Sequence, residues 1–217
     1  MIVKICGIND LAAMDAALDA GADMVGLVFF AASPRHVTPE AAKQLANMAR
    51  GKAKIVALSV DADDDLIGAI EAYAAPDFHQ LHGSETTARV TELRNRTGKL
   101  IIKAIPVASA SDLVPLAAYE AAADWILYDA KAPQDATRPG GHGKPFDWTL
   151  LKNMAHKKPV MLSGGLDPAN VAQAIEIVRP DAVDVSSGVE RAPGVKDRDK
   201  ITAFVRNARH AVMERAS

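Results

Sequence analysis

Eight short apolar runs, each followed by a stretch with helical periodicity, constrain this chain more than any other feature. The runs lie at residues 2–6, 24–30, 54–60, 78–82, 100–107, 125–129, 160–164 and 182–186. Several are dense in Ile, Val and Leu, as strands buried on both faces are. The Ala-rich segments between them carry start and stop signals. Asp10 opens a first helix that Gly21 ends, and Thr38-Pro39 opens a second with proline in its first turn. Asp167-Pro168 repeats that start for the seventh, and Val195 to Arg215 reads as one long closing helix. Eight parallel β/α pairs close into a barrel whose active site lies at the strand C-termini. The expected fold is therefore α/β, a (β/α)8 TIM barrel. No Pro/Ser/Gly linker divides the chain, and its longest irregular piece is Ala130 to Pro145, so residues 1–217 are expected to form a single domain.

Composition removes several function classes. With 25 Lys and Arg against 27 Asp and Glu the formal charge is −2, which gives no basic footprint for nucleic acid. One cysteine excludes an internal disulfide and a cysteine-based zinc cluster. None of the six histidines is spaced with carboxylates as metal ligands are, so no metal is expected. The chain starts on Ile2-Val3-Lys4-Ile5, already strand-like, with no basic n-region or small-residue cleavage site. No apolar run reaches a membrane-spanning length. A cytoplasmic enzyme with no membrane partner is the expectation, as a monomer or homodimer.

Period-2 alternation says which side chains point into such a barrel. Val3 and Ile5 suit the helix layer, which turns Lys4 and Cys6 inward. Val183 and Val185 likewise turn Asp184 and Ser186 inward. Gln80 and His82 share a face opposite Leu81, and Leu127 and Asp129 share one opposite Ile126 and Tyr128. So many polar groups are costly to bury without a purpose. The set Lys4, Cys6, Gln80, His82, Asp129, Asp184 and Ser186 reads as an active site.

Ser163-Gly164-Gly165 ends the seventh run and Ser186-Ser187-Gly188 the eighth. Backbone N–H groups in such turns, near a helix N-terminus, form the anion site that usually holds a phosphate in barrels. Glycine permits the close approach. The alternative is a pair of ordinary tight turns, but two glycine-bearing turns on adjacent final strands favour phosphate at Gly164, Gly165, Ser186, Ser187 and Gly188. The acidic loop Asp61-Ala62-Asp63-Asp64-Asp65 would repel a second phosphate, so one is expected.

Several segments together carry a resemblance. They are Lys-Ile-Cys-Gly at 4–7, Ser-Pro-Arg at 33–35, Gln-Leu-His-Gly at 80–83 and Leu-Tyr-Asp at 127–129. Gly141-His142-Gly143 leading to Phe146-Asp147-Trp148, Leu-Ser-Gly-Gly-Leu at 162–166 and Asp-Val-Ser-Ser-Gly-Val-Glu at 184–190 complete the set. In this order, over essentially the whole chain, they resemble the phosphoribosylanthranilate isomerase family. His142 departs from the pattern, standing where a small hydroxyl residue or glycine is expected. The resemblance implies a cofactor-free Amadori rearrangement of N-(5-phosphoribosyl)anthranilate to 1-(2-carboxyphenylamino)-1-deoxyribulose 5-phosphate. It implies Cys6 as general base, Asp129 as general acid and Asp184 as a ribose-contacting carboxylate.

Each assignment has a plainer rival. A free cysteine is commonly a small buried hydrophobe. As a base Cys6 needs a thiol below its ordinary value of about 8.5, and Lys4 one pleat below could supply the potential. Lys4 could equally pair with Asp184, and the two roles are compatible. Asp129 needs roughly 4 kcal/mol of destabilised carboxylate to be half-protonated at pH 7, which burial and Asp184 could supply. An ion pair with Lys131 or Lys103 would act the other way, and position alone leaves both open. Arg35 suits a bidentate grip on the anthranilate carboxylate, against the solvated fate of most loop arginines. Gln80 and His82 could line the substrate pocket, or His82 could be a satisfied interior histidine. Among enzymes, the alternative is another sugar-phosphate barrel. An epimerase would want metal-binding histidines and paired aspartates, and an indole-glycerol-phosphate synthase a catalytic lysine and glutamate in place of Cys6. A silent phosphate-binding subunit would need neither Cys6 nor Asp129.

Overall fold

The computed structural model describes residues 1–132, 140, 141, 143 and 145–213. Eight parallel strands hydrogen-bond in sequence order and close into a barrel, β8 pairing with β1. They are β1 (Ile2–Cys6), β2 (Met24–Phe29), β3 (Lys54–Ser59), β4 (Phe78–Leu81), β5 (Leu100–Val107), β6 (Trp125–Ala130), β7 (Val160–Leu162) and β8 (Ala182–Val185). Outside them lie α1 (Leu11–Asp19), α2 (Pro39–Ala49), α3 (Asp64–Tyr73), α4 (Thr87–Thr97), α5 (Leu116–Ala122), α6 (Val171–Val178) and α7 (Arg198–Met213). The helix starts follow the sequence signals. Asp10, Thr38, Asp63 and Thr86 each accept a hydrogen bond from a first-turn backbone N–H, and Pro39 occupies the first turn of α2.

Three expectations are corrected. Between β6 and β7 the expected helix is, among the described residues, a single 3-10 turn at Trp148–Leu151. Asp147 caps it, Trp148 and Leu151 fill the outer core, and Asn153 at φ +61° turns the chain away. Asp167-Pro168 does not start α6. Asp167 accepts from the Ala169 and Asn170 N–H groups and forms a turn, and α6 begins at Val171. The closing helix starts at Arg198. Glu190–Ala192 (β9) and Val195–Lys196 (β10) first make a small antiparallel hairpin turned at Gly194, φ +80°. Among the described residues, no helix is long and apolar enough to cross a membrane.

The core has two layers, as the alternation requires. Outward residues such as Val3, Ile5, Leu81, Ile126 and Val183 pack against the helices. Inward residues Met24, Val56, Phe78, Ile102, Leu127, Met161 and Ala182 plug the barrel interior. One arrangement repeats four times at the N-terminal ends of the strands. Asp23, Asp77, Asp124 and Asp181 immediately precede, or precede by one residue, the even-numbered strands. Each accepts a side-chain hydrogen bond from a backbone N–H of the preceding odd strand: Val3, Ile55, Ile101 and Val160, at 2.8, 2.9, 3.0 and 2.8 Å. Each also donates its own N–H to the carbonyl of that same residue. The chain is thus clamped as four β-α-β units.

Candidate active site

The polar residues of the mouth stand one pleat beyond the apolar plug. Lys4 follows Ile2 by two residues, Gln80 follows Phe78, Asp129 follows Leu127, Ser163 follows Met161, and Asp184 follows Ala182. Each therefore points inward at the C-terminal end. All of them but Lys4 line an open-mouthed cleft. Cys6, Arg35, Gln80, His82, Asp129, Gly164, Gly165, Asp184, Ser186 and Ser187 all line it. Gly188 does not. It sits behind the turn, where a Cβ would lie 1.9 Å from the Leu166 carbonyl oxygen.

Cys6 is buried, and its space comes from the neighbouring strand. A Cβ at Gly26 would stand 2.7 Å from Sγ. Lys4 donates to Asp184 Oδ1 at 2.9 Å, and Ser163 Oγ donates to the other oxygen at 3.2 Å. Lys4 thus takes the partner foreseen for it while still facing Cys6. Burial pushes the Cys6 thiol above its ordinary value, more than Lys4 and Lys196 lower it. The Lys4 ammonium, which burial alone would weaken, is held above its ordinary value by Asp184 and by Cys6.

Asp129 escapes both ion pairs that would have disqualified it. Lys131 binds Asp112 at 2.5 Å, and Lys103 faces outward to Glu85 at 2.8 Å. Asp129 Oδ2 instead lies 3.0 Å from His82 Nε2, and Gln80 Nε2 lies 3.1 Å from His82 Nδ1. With the Gln80 amide donating to Nδ1, the Nε2–H points at Asp129 and stabilises its carboxylate. The Ala130 N–H donates to Oδ1 at 2.9 Å.

Arg35 is buried, at 4% exposure, rather than a solvated loop arginine. Its Nε and Nη2 donate to Glu190 Oε1 and Oε2 at 2.7 and 2.8 Å. The bidentate edge expected to meet a ligand is thus occupied by Glu190, and any ligand must meet the remaining edge. That edge faces Gly141, where a Cβ would stand 2.6 Å from Nη1.

The glycine-bearing turns follow neighbouring strands, β7 and β8. Gly164 and Gly165 have φ of +83° and +69°, and a Cβ on Gly164 would stand 2.3 Å from the Ala130 nitrogen. Ser187–Val189 forms a 3-10 turn directly after β8. Asn170, whose amide donates to the Gly165 carbonyl at 2.9 Å, steadies the first turn. Sequence reasoning missed Asn170, Glu190's grip on Arg35, Lys196 and Gly26. Of these only Gly26 carries a local signal, a glycine inside an otherwise apolar strand. His142 lies outside the described residues. Among the described residues, no group of three His, Cys, Asp or Glu side chains could hold a metal ion.

The chain matches the family described as N-(5'-phosphoribosyl)anthranilate isomerase over residues 3–207. It is 53% identical over 209 residues to the protein of that name from Bradyrhizobium diazoefficiens, covering 96% of this chain and 94% of the relative. It is 56% identical over 207 residues to that from Rhodopseudomonas palustris, covering 95% of each. The crystal structure of phosphoribosyl anthranilate isomerase from Thermotoga maritima superposes with TM-score 0.87 at 38% identity, covering 97% of this chain and all of that one. A second, of such an isomerase in complex with reduced 1-(o-carboxyphenylamino)-1-deoxyribulose 5-phosphate, gives 0.83 at 35%, with the same coverage.

Proposed function

Because the chain belongs to the N-(5'-phosphoribosyl)anthranilate isomerase family and catalyses that Amadori step of tryptophan biosynthesis, we propose that Cys6 is its general base and Asp129 its general acid. The observation that carries this is the cleft itself. A thiol at the mouth of β1 beside Lys4, and a carboxylate at the mouth of β6 that pairs with neither Lys131 nor Lys103, share it with two glycine turns and a buried guanidinium.

Asp129 gives its proton to the furanose ring oxygen as the bond from that oxygen to the first ribose carbon breaks. The nitrogen lone pair forms the C=N bond of the Schiff base. His82 then stabilises the carboxylate that Asp129 has become. The Cys6 thiolate takes the proton from the second ribose carbon, its electrons form the C=C bond, and the iminium becomes a neutral enolamine. Tautomerisation moves the enol proton to the first carbon and leaves the ketone. The phosphate sits on the turns at Gly164, Gly165, Ser186 and Ser187, with Gly188 shaping the second turn from behind. Arg35 meets the anthranilate carboxylate with the edge that Glu190 leaves, Gln80 and His82 line the pocket, and Asp184 faces the ribose. The reaction needs no metal or cofactor, and the enzyme works in the cytoplasm as a monomer or homodimer. One solved relative is named for monomers of a dimeric isomerase.

A substrate deuterated at the second ribose carbon tests the pair. Cys6→Ser should enlarge the isotope effect by slowing abstraction, and Asp129→Asn should shrink it by making ring opening limiting. Movement in the opposite senses would reverse or remove the assignment.

A further inference from the structure

Two buried charged side chains near the cleft have no part in the chemistry above. Both lie on the β9–β10 hairpin. Glu190 holds Arg35 through two hydrogen bonds and also accepts from the Gly194 N–H at 3.2 Å. Lys196 Nζ donates to Glu190 Oε1 at 2.9 Å, to the Ser186 carbonyl at 2.9 Å and to Ser186 Oγ at 3.3 Å. The hairpin touches the β1 and β2 loops as well. Asn9 donates to the Gly194 carbonyl at 3.1 Å, and a Cβ on Gly194 would stand 2.4 Å from the Pro34 carbonyl oxygen. One small element therefore grips the loop of the carboxylate arginine, the end of the base's strand and the second phosphate turn.

Its charge is also uneven. On this side of the cleft Lys4, Arg35 and Lys196 are buried cations, and Asp184 and Glu190 are the buried carboxylates paired with them. Asp129 and His82 pair with each other across the pocket. Beside Cys6, then, three cations stand against two carboxylates, while the third carboxylate of the mouth, Asp129 with its neutral His82, lies across the pocket in the same low-dielectric site. Cys6, beside Lys4, is the group on this side that can add a further negative charge without a ligand.

Building on the base and carboxylate roles assigned above, we propose that Glu190 and Lys196 are positioning residues for the isomerisation. Glu190 fixes Arg35 so that one edge of its guanidinium is presented to the substrate carboxylate. Lys196, anchored to Glu190 and Ser186, is held as the third cation on the Cys6 side of the cleft, where its ammonium favours the Cys6 thiolate. A substrate carboxylate arriving on Arg35 and a thiolate forming at Cys6 then draw on the same charged unit. Lys196 is one of the two cations that oppose the effect of burial on the Cys6 thiol, the other being Lys4; burial pushes the Lys196 ammonium itself below its ordinary value, against Glu190 and Cys6, which raise it.

The experiment uses the whole chain and reads the two halves separately. For Lys196, the pH dependence of Cys6 thiolate absorbance and alkylation rate is followed without substrate. Lys196→Met should move thiolate formation upward by about one pH unit or more, a tenfold loss of thiolate at a given pH. Lys196→Arg should restore most of it. If Lys196→Met fails to fold, Lys196→Gln, which keeps a donor for Ser186, carries the same reading. For Glu190, Glu190→Gln should raise KM about tenfold with a smaller change in kcat, and should add almost nothing in an Arg35→Ala background. An unmoved thiol titration in a variant that still binds inorganic phosphate would overturn the Lys196 half. A Glu190→Gln effect that adds fully to Arg35→Ala would overturn the Glu190 half. Failure of the underlying reading looks different: Arg35→Ala alone would leave KM unchanged, or the titrating Cys6 would be dispensable for turnover.

Discussion

The two ends of this barrel both carry rings of acidic side chains, and they use them in opposite ways. At the N-terminal end Asp23, Asp77, Asp124 and Asp181 each accept a backbone N–H and sit where the chain passes from helix into strand. At the C-terminal end Asp129 and Asp184 face a cleft, and beyond the Ala130 N–H on one oxygen of Asp129 their partners are side chains, His82 in one case and Lys4 with Ser163 in the other. A backbone N–H cannot leave and cannot titrate, so the first ring is fixed to the fold even where Lys54 or Arg94 also reaches Asp77 or Asp124. Side-chain partners can exchange protons or yield to a ligand, so the second ring can do chemistry. The same residue type is structural or catalytic according to what it is bonded to.

The sharpest break in that comparison is at the mouth. Asp129→Asn and Cys6→Ala should each lower kcat by a factor of about 10²–10⁴, with the thermal midpoint nearly unchanged. A large loss of stability instead would place Asp129 with the structural ring. Next in size, Arg35→Ala should raise KM by an amount equivalent to roughly 1.5–3 kcal/mol while phosphate alone binds normally. Equal weakening of both would mean Arg35 serves the fold or the phosphate. At the floor, Asp181→Ala strands the Val160 N–H and should cost about 1–3 kcal/mol in urea unfolding with kcat and KM unchanged. A fall in kcat there would erase the division. The smallest effect is one of pH. Burial would raise Asp77, but the Ile55 N–H and the Lys54 ammonium outweigh it and hold its carboxyl below the usual range. A depressed folded value stabilises fully above the ordinary carboxylate pKa of about 3.9 and is lost as pH falls through the folded one. The stability gap between the native protein and Asp77→Asn should therefore narrow on going from pH 5 towards pH 2.

The barrel and the inward set were legible because both follow from periodicities. Alternation turns Lys4 and Cys6 one way and Val3 and Ile5 the other, whatever surrounds them. The floor ring was not read, although Ala-Asp, Pro-Asp, Ala-Asp and Pro-Asp at 22–23, 76–77, 123–124 and 180–181 repeat in the sequence. Its meaning lies in bonds to residues about 20 positions earlier, which no local pattern records. Arg35 shows the same limit from the other side. Its loop placed it at the mouth, but Glu190, 155 residues away, decides which edge it offers. Among the described residues between β6 and β7, a single turn stands where a helix was expected, for a local reason: Asp147 caps it and the chain turns at Asn153.

The clamp pattern also says where this polypeptide may be divided. Each aspartate closes a segment onto the strand just before it, so β1 to β2, β3 to β4, β5 to β6 and β7 to β8 are self-fastened. Between these segments the same aspartate clamp is not repeated among the described residues, and they meet through the strand ladder, helix packing and bonds of other kinds, such as Lys103 to the Leu81 and Gly83 carbonyls and the Lys157 N–H to Glu120. A cut at Gly51 or Gly98, both exposed turns with nothing within 4 Å of a would-be Cβ, severs none of the four fasteners. A cut at Gly21 severs one. Paired fragments divided at the first two positions should reassemble into a working enzyme more readily than those divided at the third, as though the chain were four cassettes spliced end to end.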